Sequence, residues 1–388
     1  MSDTRPLSGP VPASWLDRWA DGLYGLRDRL LASQRFQQLA ARFPLTRGIS
    51  ARRAQACFDL CAGFVYSQVL FACVKLDLFE LLARKPLTID QLSEATGLPP
   101  DAARRLVLAA AALDLLQPRT GGRYGLGQLG AAMRGNPGVK AMIEHHAMFY
   151  ADMVDPLALL RGELPRTQLA GYWPYAGGVN PSALAAADVG AYTDLMATSQ
   201  QFVADDVLNA HDVTKHRHIL DVGGGDGSFL RSVAKRAPGL ALTLFDLPAV
   251  VETAGPRFAA AGLTGRATLV GGSFIVDELP RGADLITLVR VVHDHDDDTV
   301  RLLLARIHSA LEPGGKLLIA EPMAGSAASA AMADAYFGFY LLAMGTGRAR
   351  RPDELIGMLA AAGFANARQI ATPRPLLTGL IVAEKQPM

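Results

Sequence analysis

A glycine-rich turn between a strand-like run and a helix-like run carries the clearest chemical signal in this chain. The apolar run His218–Val222 ends in three consecutive glycines, Gly223 to Gly225, and a helical pattern starts at Ser228. Glycines permit a sharp turn and let a ligand approach the backbone with no Cβ in the way. The first turn of the following helix then directs unpaired N–H groups towards that ligand. This pattern predicts a cofactor site.

An aspartate at the end of the next apolar run narrows the ligand to a nucleoside. The run from Leu240 leads to Asp246, which follows Gly225 by 21 positions. A carboxylate at this place in an α/β sheet accepts hydrogen bonds from ribose hydroxyls. The glycines form a G-x-G-x-G spacing, whereas dinucleotide sites have G-x-G-x-x-G in a leading βαβ unit. We therefore expect S-adenosylmethionine (SAM) rather than NAD; a tight turn that binds no ligand is the alternative.

A histidine follows a later strand-like run. Residues 284–292 predict a strand that ends directly before His293. Ligands of doubly wound sheets lie beyond the carboxyl ends of the strands, so this imidazole is expected beside the cofactor. A group that titrates near neutral pH suits general-base catalysis. We predict that His293 is the catalytic base; a histidine that only forms a hydrogen bond at a strand end is the alternative.

The polar residues after this histidine have two interpretations. His295 and the three aspartates at 296–298 could form a metal site with His293. However, no separate His/Cys pair completes such a site, and aspartates suit the N-terminus of a helix, where the macrodipole favours acids. We therefore expect helix capping and no metal.

Length, composition and charge set the broad class. The chain has 388 residues, of which 50% are hydrophobic and 19% charged, and its formal net charge is +1. This length allows two domains, and the small net charge gives no field that favours nucleic acid. Because long uninterrupted apolar runs and a secretory core are absent from the sequence, we expect a cytoplasmic protein with no spanning helix. Cys57, Cys61 and Cys73 lack the paired spacing of zinc sites and are predicted to be reduced core thiols.

Residues 1–50 form an extension with an amphipathic pattern. Apolar residues recur at intervals of three and four from Trp15 to Leu31, with Asp and Arg on the other face. We favour packing on the protein's own domain or on a partner subunit, because acidic residues interrupt the polar face. Peripheral contact with a membrane is the second interpretation.

Residues 51–200 are predicted to be mainly helical. Thr88 and Gln91 form a capping box, a second helix runs from Pro100 to Leu115, and a small hairpin follows. Helix, helix and hairpin in this order describe a winged helix. The second helix is too apolar to lie in a DNA groove, so we expect a structural or dimer-forming role and no nucleic-acid partner.

Residues 201–388 alternate between strand-like and helix-like runs. The strand-like runs are 218–222, 241–246, 267–271, 284–292, 316–321, 366–371 and 377–384. Strands that alternate with helices predict a parallel sheet covered on both faces. The expected fold class is therefore α/β, with a doubly wound sheet of seven strands.

Five motifs occur here in the same order as in one enzyme family. They are Asp221-Val-Gly-Gly-Gly, Phe245-Asp-Leu-Pro, Val270-Gly-Gly, Val292-His-Asp and Pro313-Gly-Gly-Lys-Leu-Leu-Ile-Ala-Glu. Residues 55–385 thereby resemble the SAM-dependent O-methyltransferases of the plant caffeate and bacterial polyketide type. The resemblance implies a Rossmann-like methyltransferase sheet, a winged-helix dimerisation domain, SAM as the cofactor and a homodimer.

The resemblance also implies roles for individual residues. Gly223 matches a backbone contact to the methionine part of SAM, and Asp246 matches the ribose ligand. His293 matches the catalytic base, and Glu321 matches one of two glutamates that flank and orient this base.

Four positions depart from the family pattern. Ser273 and Phe274 stand where Asp-Met lies beside the adenine, and Arg290 stands where a lysine commonly contacts the cofactor. Ala349 occupies the place of the second glutamate, so a single orienting carboxylate is expected. An aliphatic alcohol releases its proton only as the new C–O bond forms. We therefore hypothesise that a less strongly supported histidine suits such an acceptor.

Aromatic segments predict an apolar acceptor pocket, with ordinary interdomain core as the alternative. They comprise residues 145–150, 173–175 and the run from Met332 to Met344. The long extension with Trp15 and Trp19, residues 149–160 and residues 173–175 resemble the bacterial carotenoid O-methyltransferases. That resemblance implies transfer to the tertiary 1-hydroxyl of an acyclic carotenoid, demethylspheroidene or hydroxyneurosporene. An aromatic polyketide or phenol O-methyltransferase is the alternative.

Overall fold

The computed structural model describes residues 14–173, 200, 202–325, 331–375 and 377–387. A helical N-terminal part carries a three-stranded sheet, and a C-terminal part carries a seven-stranded sheet. The α/β fold class is therefore as predicted. Residues 1–13 of the extension and positions 174 and 175 of the predicted aromatic segment lie outside the described residues.

Three helices form the N-terminal end, α1 (Trp15–Ala32), α2 (Gln34–Arg42) and α3 (Arg47–Lys75). α1 begins at a capping box, in which the side chains of Ser14 and Asp17 each accept the other's backbone N–H. Within α1 and α2 no residue is buried. The structure thus does not pack this extension on the protein's own domain, which was one part of the favoured interpretation. The remaining interpretations are that the extension packs on a partner subunit or contacts a membrane surface.

α3 is long and apolar enough to cross a membrane by length and composition alone, whereas we expected no such helix. Asp59 interrupts its apolar sequence, so a search for uninterrupted runs overlooks it. Cys57 and Cys61 lie on its exposed surface, and the prediction of core thiols is wrong for both. Cys73 is buried as predicted, and burial raises the pKa of its thiol to about 12.

The predicted winged helix is present. Its elements are α4 (Leu78–Arg84), β1 (Leu87–Thr88), α5 (Ile89–Thr96), α6 (Pro100–Ala112), β2 (Leu116–Arg119) and β3 (Arg123–Leu126). β3 lies between β1 and β2 and is antiparallel to both. The capping box of Thr88 and Gln91 opens α5, and Gly97 ends it in the left-handed conformation. Leu92 and Val107 fix the two helices in a shared core.

Between the winged helix and the larger sheet, the described residues include α7 (Gln128–Arg134), α8 (Pro137–Asp152), α9 (Pro156–Arg161) and α10 (Gln168–Tyr172), and a further helical stretch at 202–210. Asp152 at the end of α8 accepts the backbone N–H groups of Gln168 and Leu169 at 2.7 and 2.9 Å. This carboxylate satisfies unpaired donors at the start of α10 and thereby joins the two helices.

The C-terminal elements build the large sheet. They are β4 (His218–Val222), α11 (Ser228–Arg236), β5 (Ala241–Asp246), α12 (Pro248–Ala260), β6 (Ala267–Gly271), β7 (Leu285–Val289), α13 (Asp297–Ala310), β8 (Lys316–Glu321), a π-helix (Ala331–Phe337), α14 (Gly338–Met344), α15 (Pro352–Ala361), β9 (Phe364–Ile370) and β10 (Gly379–Lys385). The strand order is β6-β5-β4-β7-β8-β10-β9; β10 is antiparallel to both β8 and β9, and the other neighbouring pairs are parallel. The order reverses between β4 and β7, where sheets of this kind bind ligands.

The strand limits agree with the sequence except at β7. β4, β5, β6 and β8 have the predicted bounds, and β9 and β10 lie within two residues of them. β7 ends at Val289 rather than at Val292, because Arg290 adopts a left-handed φ of 60° and a 3₁₀ turn follows at Val292–Asp294. The chain therefore leaves the sheet before His293.

Apolar layers cover both faces of the sheet. Ile219 packs in the layer that contains Phe229 of α11, whereas its neighbour Leu220 packs in the layer that contains Leu303 and Ile307 of α13. Successive side chains of a strand point to opposite faces of the sheet. Because both faces are covered here, both sets of side chains must be apolar. Because this burial fixes the strands, the polar residues at or just after the carboxyl ends of β4, β5, β7 and β8 lie at one edge of the sheet.

Candidate active site

The glycine turn after β4 has a backbone that side chains would disturb. Gly223, Gly225 and Gly227 have φ angles of 69°, 59° and 75°, which favour glycine. A Cβ at Gly223 would lie 2.8 Å from Val291, and one at Gly227 would collide with Phe258. Gly225, by contrast, borders open space with nothing within 4 Å of such a Cβ. The turn therefore packs on its inner side and leaves room for a ligand on its outer side.

Asp246 joins this turn to the end of β5. Its Oδ2 accepts the backbone N–H of Gly225 and its Oδ1 that of Leu247, both at 2.7 Å. Burial raises the pKa of this carboxyl to about 6, although both hydrogen bonds act in the opposite direction. Each carboxylate oxygen retains a second lone pair. The residues present thus fit the ribose of a nucleoside cofactor, and the role of Asp246 as its ligand stays a prediction.

Asp221 is a site residue to which the sequence analysis assigned no role. It is completely buried, and its Oδ1 accepts the hydroxyl of Thr287 at 2.6 Å. Its Oδ2 has no partner within the described residues and lies beneath Gly224, whose Cβ would approach it to 2.4 Å. Burial raises the pKa of this carboxyl to about 7. The position of a polar residue within the apolar β4, two before the glycines, was the signal in the sequence.

Ser273 and Phe274 lie at the neighbouring end of β6. The backbone N–H of Gly272 donates to the carbonyl of Asp246 at 2.9 Å, which places the two strand ends side by side. The hydroxyl of Ser273 accepts the N–H of Ile275 at 3.3 Å, and the ring of Phe274 contacts His295 edge-on. The structure therefore brings the predicted adenine residues to the same edge as Asp246.

Arg290 lies between β7 and the histidine. Its backbone N–H donates to Ala320 of β8 at 2.8 Å, and its Nη1 is 3.5 Å from Oε1 of Gln200. Its positive charge lowers the pKa values of His293 and Asp294, although burial outweighs this effect at Asp294, and Asp294 and Glu321 outweigh it at His293. Arg290 is thus within electrostatic reach of His293 and Asp294.

His293 and Glu321 meet at the carboxyl ends of the adjacent strands β7 and β8. Glu321 is completely buried, and His293 is 5% exposed. Oε2 of Glu321 lies 3.4 Å from Nδ1 of the imidazole and accepts the backbone N–H of the same histidine at 3.0 Å. One carboxylate oxygen therefore contacts both the ring and the backbone of His293, and the role of Glu321 in orienting a catalytic base stays a prediction.

A second carboxylate, which the sequence analysis missed, also touches this ring. Oδ1 of Asp294 lies 3.2 Å from Nε2 of His293. Burial alone would lower the pKa of His293, but Asp294 and Glu321 outweigh it, so the pKa is raised above 6.5. The expectation of a single orienting carboxylate, based on Ala349, is therefore wrong. The hypothesis that weak support of the histidine favours an aliphatic acceptor loses its basis. The dipeptide His293-Asp294 was the available signal.

The following aspartates cap a helix, as predicted. The side chain of Asp296 accepts the backbone N–H of Thr299 at 2.8 Å, and α13 begins at Asp297. Acidic side chains in this first turn interact favourably with the helix dipole. Within the described residues, no group of three or more His, Cys, Asp or Glu side chains is placed to hold a metal ion.

Four rings, Phe149, Tyr336, Phe337 and Tyr340, form an aromatic wall beside the histidine. Phe337 lies edge-on to His293 with 5.8 Å between ring centroids, and the wall rings contact one another at 5.2–6.4 Å. Tyr336 and Phe337 belong to the π-helix, a conformation that is frequent at functional sites. The predicted aromatic segments at 145–150 and 332–344 thus come together beside His293.

Two histidines of α8 bind the hydroxyl groups of this wall. Nε2 of His145 lies 2.7 Å from the hydroxyl of Tyr340, and Nε2 of His146 lies 2.7 Å from that of Tyr336. Burial lowers the pKa of His145 to about 4 and also lowers that of His146. Both rings are therefore neutral near pH 7, and the two hydroxyls already have partners.

Comparison with known families identifies the class of this protein. Residues 165–365 match the O-methyltransferase domain, and residues 58–134 match the O-methyltransferase dimerisation domain. The chain therefore belongs to the SAM-dependent O-methyltransferases and carries the dimerisation domain of that family. The resemblance noted in the sequence, the enzyme class and the SAM cofactor are confirmed.

Individual relatives place the chain more narrowly within the family. It is 44% identical to demethylspheroidene O-methyltransferase of Cereibacter sphaeroides over 365 residues, which cover 93% of this chain and 95% of the relative. It is 45% identical to demethylspheroidene O-methyltransferase of Rhodobacter capsulatus over 92% of this chain and 88% of the relative. The structure of human N-acetylserotonin methyltransferase in complex with SAM superposes with a TM-score of 0.70 at 25% identity, covering 86% and 98% of the two chains.

Proposed function

We propose that this enzyme transfers the methyl group of SAM to the tertiary 1-hydroxyl of an acyclic carotenoid such as demethylspheroidene, in carotenoid biosynthesis. The observation that carries this proposal is the similarity to two demethylspheroidene O-methyltransferases at 44% and 45% identity over nearly the full chain. A relative named for a small aromatic acceptor, 3-amino-4-hydroxybenzoate, is 29% identical over 84% of the chain.

The aromatic wall supports an apolar acceptor. The hydroxyls of Tyr336 and Tyr340 are bound by neutral histidines, so the rings present mainly carbon surface. Apolar pockets with few free polar groups favour hydrocarbon ligands, because burial of apolar surface drives binding. A long polyene gains more from such a surface than a small phenol does.

We assign the cofactor to the edge formed by β4, β5 and β6. Gly223 supplies backbone contact to the methionine part of SAM, Asp246 binds the ribose, and Ser273 and Phe274 lie beside the adenine. Arg290 contributes positive charge at the same edge. SAM supplies an electrophilic methyl group on a sulfonium when it is bound.

We assign the proton transfer to His293. Glu321 holds the Nδ1 side of the ring, so we assign the proton of the acceptor hydroxyl to Nε2, which then faces Asp294 at 3.2 Å. An alcohol is far less acidic than an imidazolium, and its proton leaves as the new C–O bond forms. Asp294 and Glu321 stabilise the imidazolium that results, because each places a carboxylate beside one ring nitrogen. The rest of the rate enhancement comes from the positioning of the acceptor hydroxyl against the methyl donor.

Incubation with labelled SAM and a panel of acceptors tests this proposal. We expect methylated product, identified by mass, from demethylspheroidene and hydroxyneurosporene but not from simple phenols, with S-adenosylhomocysteine formed in equal amount. Methylation of phenols or naphthoates with no activity on the carotenoids would favour the aromatic alternative. His293→Ala measured on the same panel tests the proposed base.

We further propose that the chain has three parts: an extension at 1–50, a dimerisation domain at 51–200 and a methyltransferase domain at 201–388. The dimerisation domain supports a homodimer.

We also propose that the extension contacts the membrane from the cytoplasmic side. Trp15 and Trp19 are 70% and 66% exposed, and residues 14–50 contain six arginines and three aspartates. Basic segments are attracted to anionic lipid, and aromatic rings enter the headgroup region.

Vesicle sedimentation of the full chain tests the membrane contact. We expect the enzyme to sediment with phosphatidylglycerol vesicles at low salt and less with phosphatidylcholine vesicles. Replacement of Trp15 and Trp19 by Ser should release it, whereas the same change at Leu129 and Val154, also exposed, should not. If the double Trp variant still sediments but no longer dimerises, the extension binds the partner subunit instead.

A further inference from the structure

A buried guanidinium lies behind the loop that carries the histidine. Arg350 is completely buried and is the largest of the fully buried side chains in the described part of the chain. A buried cation is tolerated only when its charge and its five N–H donors find partners. The partners of Arg350 therefore identify which parts of the site it holds.

These partners lie on both sides of His293. Nη1 of Arg350 donates to the carbonyl oxygen of Val292, and Nη2 donates to that of His295, both at 2.8 Å. Nε and Nη2 also donate to Oδ1 of Asp297, at 2.9 and 2.7 Å. The guanidinium thus fixes the backbone before and after the histidine and anchors it to the start of α13.

The backbone of the same residue is joined to the element that carries Glu321. The carbonyl of Arg350 accepts the N–H of Ala324 at 3.0 Å, three residues beyond the end of β8. Gly347, with φ 86°, lies so close to the histidine loop that a Cβ would be 2.2 Å from the carbonyl oxygen of His293. The segment 347–350 therefore joins the two elements whose separation sets the distance between the imidazole and its carboxylate.

We infer that Arg350 is a positioning residue, which holds His293 at the correct distance and orientation from Glu321. The inference rests on the proposed role of His293 as the base. A lysine at this position would keep the charge but could not reach two carbonyls and a carboxylate at once, because its single ammonium lacks the planar fork of arginine. Loss of the fork should therefore change the support of the imidazole without removing any group that touches the cofactor.

Arg348 offers a matched control. It also binds Asp297, with Nε 3.1 Å from Oδ1 and Nη2 3.1 Å from Oδ2, but its side chain is 44% exposed and its Nη1 donates to Glu354. Arg348→Lys therefore alters the same aspartate without releasing the histidine loop. Exposed ion pairs contribute little, so we expect kcat within about twofold of the unchanged enzyme.

We expect Arg350→Lys to lower kcat by about 10- to 100-fold, because small displacements of a catalytic group are costly. The affinity for SAM should change by no more than about twofold, because the glycine turn shares no partner with Arg350. The pH at which half of kcat is lost should move towards that of an unsupported histidine. Titration of the His293 ring by NMR, in enzyme with SAM and no acceptor, measures the same shift without turnover.

A stabilising role alone predicts a different result. Arg350→Lys would then lower the melting temperature, while kcat per folded molecule and the His293 titration would stay unchanged, and this outcome overturns the inference. If Arg350→Lys does not fold, Asp297→Asn receives the same measurements, since it removes the carboxylate that anchors the guanidinium. Full activity of His293→Ala would refute the proposed function itself; an inactive His293→Ala beside an unaffected Arg350→Lys would refute only the inference.

Discussion

The two sides of the active site use their polar groups in opposite ways. At the carboxyl edge of the sheet, the buried atoms Oδ2 of Asp221 and Oε1 of Glu321 have no partner within the described residues. In the aromatic wall, the hydroxyls of Tyr336 and Tyr340 are bound by histidines of α8. The edge thus keeps hydrogen-bonding capacity that the proposed cofactor binding and proton transfer would use, whereas both tyrosine hydroxyls of the wall already have partners. Chemistry and choice of acceptor are therefore expected to respond to different substitutions.

The largest expected effect is at the edge, in His293→Ala. Removal of a general base lowers kcat by about 10²- to 10⁴-fold. SAM affinity, measured by calorimetry, should remain unchanged, because the ring is held by β8 rather than by the glycine turn. His308→Ala on α13 is the control, since that ring packs against Phe364 away from the edge. An unchanged kcat in His293→Ala would show that this edge of the sheet takes no part in the chemical step.

The next effect concerns the cofactor. Asp246→Asn should weaken SAM binding by about 10- to 100-fold, since a hydrogen bond to a charged group contributes about 1.5–3 kcal/mol. Calorimetry at pH 7.5 measures it, and Glu252→Gln, an exposed change of charge on α12, is the control. In the unchanged enzyme, affinity should also fall below pH 6, because the pKa of the Asp246 carboxyl is about 6 and only its ionised form accepts two ribose hydroxyls. Equal affinity in both proteins would show that the ribose lies elsewhere.

The pH dependence of kcat is a further test of the role proposed for the edge. The two carboxylates raise the pKa of His293, so its neutral, proton-accepting form is lost at a higher pH than for an ordinary histidine. We expect kcat to fall about tenfold per pH unit below an inflection above 6.5. Asp294→Asn should move that inflection to lower pH. An inflection below 6.5 in the unchanged enzyme would mean that Asp294 and Glu321 do not support the imidazole.

The smallest expected effect is in the wall. Tyr336→Phe removes the 2.7 Å hydrogen bond to His146 and leaves a partly buried nitrogen unpaired, which costs about 1–3 kcal/mol of stability. Thermal unfolding should detect this loss, while kcat should stay within about threefold because the hydroxyl is turned to α8. A loss of kcat as large as that of His293→Ala would show that the hydroxyl reaches the reacting atoms and that the division between edge and wall is wrong.

Local sequence patterns were sufficient for most of the fold. The limits of β4, β5, β6 and β8 followed from apolar runs that end in glycine or acidic residues, and the capping box of Thr88 and Gln91 marked the start of α5. The end of β7 was misplaced because Val291 and Val292 continue an apolar run that Arg290 has already turned out of the sheet. Apolar composition alone cannot show whether a strand continues or whether the chain leaves the sheet.

The sequence by itself determined the α/β sheet, the glycine turn with Asp246, and the meeting of His293 with Glu321, since adjacent parallel strands carry their ends to one edge. Only the tertiary structure decided that Asp294 turns towards the ring, that Arg350 lies buried behind it, and that Cys57 and Cys61 face outwards. It also decided the pairing of two histidines with two tyrosines about 190 residues away. Strand patterns depend on neighbours along the chain, whereas side-chain orientation and burial depend on packing between distant segments.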